Sequence, residues 1–215
     1  MKKTFFAATI AFIIITLTGC GGGGGSSAPP TFTTQILSNA QVDGDIAFSS
    51  PPPTYTFAQA NITQNVFVGI NPAASGIEYR GFLDFPLTGA GGVPGNAIIV
   101  SAVLDIFINN ILPTTGSVPI RIQLVSLLLP SLSSADFTST PLATTDILFP
   151  IIQADFNNHV AIDVTSLMVQ AQSLGLPDFQ IRILLDASAT SGLIEINDTT
   201  TNRALLAPLL TVTYQ

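Results

Sequence analysis

Along most of this chain apolar and polar residues alternate one by one. In SAVLDIFIN, Ala102, Leu104, Ile106 and Ile108 are separated by Ser101, Val103, Asp105, Phe107 and Asn109. IRIQLVSL sets Ile120, Ile122 and Leu124 against Arg121, Gln123 and Val125, and HVAIDVT sets Val160, Ile162 and Val164 against His159, Ala161 and Asp163. FQIRILL and LLTVTY follow the same rhythm. A period of two places successive side chains on opposite faces, so these runs predict half-buried antiparallel strands. Turn formers separate them: Asn71-Pro72, the TGAGGVPG stretch ending at Gly95, Pro113, Pro130, Pro150, Gly175 with Pro177, and Gly192. Roughly ten strands at this spacing predict an all-β antiparallel sandwich of the jelly-roll kind. One segment breaks the rhythm. Thr165 can cap a short helix, Leu167, Ala171 and Leu174 share its face, and Gly175 can close it.

The N-terminal residues follow neither pattern. Met1, Lys2 and Lys3 form a positive start, and Phe5 to Leu17 is an almost wholly apolar run. That run has the length of a secretory signal core and is too short to span a bilayer comfortably. It ends Leu17-Thr18-Gly19-Cys20, which resembles a bacterial lipobox. The resemblance implies cleavage before Cys20 and acylation of that residue, palmitate included. Gly21 to Gly25, Ser26 and Ser27 then read as a flexible tether, with Ala28, Pro29 and Pro30 as a stiffer end. The expected organisation is a signal peptide over 1–19, a lipidated cysteine and tether over 20–35, and one β-sandwich domain over 36–215.

Charge narrows the partners. Both lysines lie in the leader, so only Arg80, Arg121, Arg182 and Arg203 remain as cations against 13 acids, a net charge of −9 after cleavage. Nucleic acid is excluded as a partner by that balance, and so is polybasic attraction to anionic lipid. Cys20 is the only cysteine, so the exported domain relies on packing rather than disulfides.

With these strands in place, YRGFLDFPL, VPGNAIIVSAVLDIFI, VAIDVTSLM and APLLTVTY together resemble the landmarks of the DNRLRE domain. That is a bacterial surface jelly roll similar to the propeptide of transforming growth factor β and to some carbohydrate-binding modules. Arg80, Leu83 and Phe85 match one strand of it, Pro94, Gly95 and Ala102 the next turn and strand, Asp163, Val164 and Thr165 the entry to its helix, and Pro208, Leu210, Val212 and Tyr214 its last strand. The likeness spans most of Asp43 to Tyr214 and implies a surface-displayed binding domain.

No catalytic set stands out. His159 is the sole histidine, and Asp163 lies about 13 Å along the same strand at ~3.3 Å per residue, too far for a hydrogen bond. Asp43 and Asp45, with Asn197-Asp198, offer oxygen ligands for a structural calcium, although their plain reading is a turn rich in Asp and Asn. TGAGGVPG lacks the spacing of a phosphate-binding loop. Arg80 shares a strand face with Glu78, Phe82 and Asp84, which favours an ion pair at the sheet surface. Asn61-Ile62-Thr63 matches a glycosylation acceptor, uninformative beside a bacterial leader.

The chain has no tryptophan, so Tyr55, Tyr79 and Tyr214 are the available amphipathic rings, and Tyr214 is expected to close the core. Tyr79 and Arg80 are the candidate ligand-binding residues. Val103, Phe107 and Leu184, apolar at nominally outer positions, favour packing against a partner. The expectation is a non-catalytic binding or structural module, lipid-anchored in the cell envelope, at the outer membrane or cell surface rather than the inner membrane. Its partner is polysaccharide or an envelope or matrix protein. The alternatives are a polysaccharide hydrolase or lyase and, more remotely, a membrane β-barrel subunit.

Overall fold

The computed structural model describes residues 29–59, 64–73, 76–113, 116–143 and 147–215. The leader, Cys20, most of the tether and the Asn61 acceptor lie outside these residues. The chain is all-β with three short helices. Its strands are β1 Phe32–Leu37, β2 Gly44–Ser49, β3 Thr54–Gln59, β4 Asn65–Ile70, β5 Glu78–Pro86, β6 Ile99–Leu112, β7 Ser117–Leu124, β8 Ile147–Ile152, β9 His159–Asp163, β10 Asp178–Leu185, β11 Gly192–Asn197 and β12 Leu209–Tyr214. The helices are α1 Ser134–Thr138, α2 Thr165–Ser173 and α3 Arg203–Leu206. There are thus twelve strands where the pattern predicted about ten. β1 begins at Phe32, inside the stretch expected to be tether.

Every strand pairing is antiparallel. β1, β12, the first half of β6 and β9 run side by side, and the second half of β6 crosses to pair with β11. From β11 the order continues β4, β5, β10, β7, β8, with the β2–β3 hairpin added on β5. The long β6 therefore joins two layers. Ala102, Leu104, Ile106 and Ile108 are fully buried between them, as alternation required. The next buried residue is Ile111, three positions on rather than two. A bulge resets the parity: Glu195 pairs with Asn110 but Ile196 with Ile108, leaving Asn109 as the extra residue.

Alternation fails on β5, where Gly81, Phe82, Leu83, Asp84 and Phe85 are all buried. Leu83 and Phe85 enter the main core. Phe82 enters a second, smaller core with Val42, Ile46, Val125, Leu127, Leu132 and Phe137. The Ser- and Pro-rich segment after β7 is not a plain loop. It folds back as a strap over the outer face of β5 and β10, with α1 at its centre. Ser133 and Asp136 start α1, the Ser133 backbone N–H donating to Asp136 Oδ2 at 2.8 Å. Leu127 N–H donates to the buried Gln180 Oε1 and Leu132 N–H to the half-buried Gln59 Oε1, so glutamine side chains hold the strap down by its backbone.

The predicted helix forms as α2, with two changes. Asp163 Oδ1 accepts the Thr165 N–H at 2.8 Å, so Asp163 is the capping side chain, while Thr165 Oγ1 accepts from Ala102 N–H. The buried face is Leu167, Met168 and Ala171, and Leu174 is 52% exposed because it lies past the helix end. Gly175 does close the helix, at φ +64°, with Leu176 N–H reaching back to Ala171 O.

Register on β6 is open to a direct check. Leu104→Ala is expected to cost roughly 2–5 kcal/mol of unfolding free energy in urea, and Asp105→Ala less than about 1. Equal costs would mean that the wrong parity of β6 faces the core.

Candidate functional site

β4 pairs with β11 along its whole length but with β5 only at its last two residues, Gly69 and Ile70. The divergence leaves the outer edge of β4 without a strand partner. The Phe67 N–H on that edge donates to Asp45 Oδ2 of β2 at 3.0 Å, so a side chain stands in for the missing strand. The same parting opens a cleft of about 270 Å³ between the β2–β3 hairpin and β4. Its lining includes Asp45, Ala47, Thr56, Phe67 and Tyr79. Tyr79 and Phe67 are half-buried, their ring centroids 5.6 Å apart and their planes tilted by 48°. Two partly solvated rings beside a carboxyl offer apolar area with a polar group at hand, a common make-up for small-ligand sites. Burial raises the Asp45 carboxyl to about 7, with the Phe67 N–H pulling the other way.

Beyond Phe67 the outer face turns polar. Glu195 pairs across the strands with Phe67 and accepts from Asn65, which in turn accepts from the bulged Asn109. Asn197 donates to Asn109 at 3.0 Å. Of these amides only Asn197 was singled out from the sequence, as an oxygen ligand for calcium. The bulge that brings Asn109 to this face has no local signature.

Arg80 does not join Tyr79 in the cleft. Adjacent strand residues point to opposite faces, and Arg80 points toward the strap. Its Nε donates to Glu78 at 2.7 Å, in line with the ion pair expected from sequence, and its guanidinium lies 4.0 Å from the centre of the Phe137 ring. The face shared by Arg80, Phe82 and Asp84 is not the sheet surface; the strap covers it, with Phe82 and Asp84 buried. Tyr55 also packs on this second core, 5.5 Å from Phe137. Tyr214 packs half-buried against the main core and stacks on Phe32. Val103, Phe107 and Leu184 are half-buried.

The two candidate calcium aspartates separate. Asp43 meets Asp198 instead of Asp45, drawing together the β1–β2 and β11–β12 connections. Asp43 Oδ1 accepts from the Asp84 N–H at 2.9 Å, and Asp198 Oδ1 from Arg203 Nη1 at 2.9 Å. Each carboxyl keeps one buried oxygen with no donor, and the two groups lie within hydrogen-bonding reach of each other. Burial, then the charge of Asp198, pushes the Asp43 carboxyl well up, and burial raises Asp198 despite Arg203. Among the described residues no group of three or more His, Cys, Asp or Glu is arranged to hold a metal ion.

His159 lies on the exposed side of β9. Its Nδ1 is 3.1 Å from Asp105 Oδ1 on the paired strand, and its ring meets Phe107 edge-on. Asp163 is committed to capping α2, so the two do not form a catalytic pair. No helix among the described residues is long and apolar enough to cross a membrane. No protein-family model matches the chain, and no curated protein matches it significantly.

The carboxyl shifts give a pH dependence of definite sign. Asp45 binds its proton more tightly folded, at about 7, than unfolded, near the usual 3.9. Its contribution to stability is complete below about pH 4 and is lost as pH rises through 7. Asp45→Asn, which can still accept from Phe67, is expected to leave stability at pH 4 nearly unchanged. At pH 8.5 it should raise stability by roughly 2–4 kcal/mol, read from urea midpoints. An equal effect at both pH values would remove Asp45 as a titrating group.

Proposed function

We propose that this chain is a lipid-anchored, non-catalytic binding module of the bacterial cell envelope, acylated at Cys20, which contacts polysaccharide or an envelope protein through the Tyr79 cleft. The observation that carries the reading is the cleft itself, with two half-buried rings and one carboxyl between diverging strands. At about 270 Å³ it sits near the lower end of ligand pockets, roughly 300–1,000 Å³, and suits one sugar ring or one inserted side chain. The lipobox ending at Cys20, the excess of acids and the likeness to DNRLRE-type surface domains belong to the same reading.

A polysaccharide-acting enzyme is the second reading, and one feature favours it. Asp45, with its carboxyl near 7, lines the cleft, and a raised carboxyl is what a general acid requires. Against this, Asp45 is only 2% exposed and one of its oxygens is engaged by the Phe67 N–H.

Two measurements test the proposal. Cys20→Ser is expected to abolish lipid labelling and leave the precursor about two kilodaltons heavier, the mass of an uncleaved leader. Normal labelling would refute acylation at Cys20. On a panel of envelope polysaccharides and proteins, Tyr79→Ala is expected to weaken the contact by about 1–3 kcal/mol, and neither wild type nor Asp45→Asn to turn over any glycan. Turnover that vanishes in Asp45→Asn would replace the binding module with a glycan-cleaving enzyme.

A further inference from the structure

One end of the domain combines two properties that are seldom found together on a soluble surface. It carries no charged side chain, and it exposes large apolar ones. The end is built from the start of β1, the end of β12, the start of β6 and helix α2. Phe32 stacks on Tyr214, Tyr214 pairs with Ile99, and Ile98 exchanges backbone hydrogen bonds with Gln215. A shallow cleft of about 250 Å³ joins Ile98 and Ile99 to Val169 of α2. Gln172 fixes this arrangement by donating to Pro94 O and Ala97 O. The segments that form the end, residues 29–34, 87–102, 164–177 and 211–215, contain no Asp, Glu, Lys, Arg or His. All 13 acids lie elsewhere. Yet Phe32 is 55% exposed, Ile98 67%, Val100 46% and Val169 42%.

The path of the chain says what faces this end. The residues preceding β1 enter the domain at Phe32, within the patch. From Cys20 to Phe32 the chain spans at most about 40 Å even when fully extended, at ~3.3–3.6 Å per residue. We infer that this uncharged end docks on the bilayer that holds the acylated Cys20, with Ile98, Val100 and Phe32 entering the interfacial region. Apolar and aromatic side chains partition into that zone, about 5–10 Å deep, and charged ones resist it. The acids on the rest of the domain are repelled by anionic lipid, which turns the same end toward the membrane. The inference rests on the proposed acylation, and it sets the orientation: the domain sits on the lipid surface rather than ranging over the full tether.

The absence of tryptophan makes the test direct. Single-tryptophan variants of the acylated full-length protein, Ile98→Trp and, at a second patch position, Val100→Trp, are reconstituted into phosphatidylcholine vesicles with plain or brominated acyl chains. Leu205→Trp, 69% exposed before the opposite end of β12, serves as the control. The patch variants are expected to lose roughly half of their emission in brominated vesicles, and the control almost none. Flotation and mass spectrometry report acylation separately. An unacylated Cys20 overturns the anchor and the docking with it. Acylated protein that floats with the vesicles, but whose patch tryptophans emit equally in both, overturns the docking alone and leaves the patch to a protein contact.

Discussion

Two guanidinium groups converge on one carbonyl, and much of the domain follows from that. Arg182 on β10 is 3% exposed, and its Nη1 donates to Asp136 O at 2.9 Å and Phe137 O at 3.2 Å. Arg80 on β5 donates to the same Phe137 O and covers the Phe137 ring. A buried guanidinium costs several kcal/mol unless its donors are occupied, and Gln123 and Ser139 take further ones. The end of α1 is thereby pinned over the sheet. Pinning it closes the second core around Phe82, and it removes the outer face of β5 and β10 from solvent. In a chain whose only cysteine precedes the domain, these hydrogen bonds fasten the strap without a disulfide.

The same feature explains where the sequence is legible. β6 and β9 have one face on the core and one toward water, so their alternation gives both strand and register. β5 has apolar neighbours on both faces, so Phe82 and Asp84 look like outer residues although both are buried. Nothing within YRGFLDFPL announces a strap supplied by residues 125–143. Long-range pairings are equally silent: Asp43 and Asp198 lie at opposite ends of the domain in sequence, and Asp105 and His159 are 54 residues apart. The short helix was legible because Asp163, Thr165 and Gly175 mark its ends locally. Its register was only half legible, because Leu174 falls beyond the last turn.

The surface divides accordingly into three parts. The strap seals one face with Arg182 and with Arg80, the arginine that sequence alone offers as a ligand-binding candidate. The parting of β4 from β5 opens another place, where Tyr79 and Phe67 stay half-solvated beside Asp45. The third part is the uncharged end at Phe32 and Ile98. Strap, cleft and uncharged end thus occupy separate places on one sandwich.

Hydrogen–deuterium exchange on Arg182→Leu tests the pinning most directly. The substitution keeps apolar bulk and removes the Arg182 donors toward α1, leaving only that of Arg80 to Phe137 O. If Arg182 holds the strap, the amides of Leu127, Leu132 and Leu142 should exchange at least about tenfold faster than in wild type, while those of β6 and β12 keep their protection. Unchanged exchange across residues 127–142 would contradict the account, because the strap would then be held without Arg182.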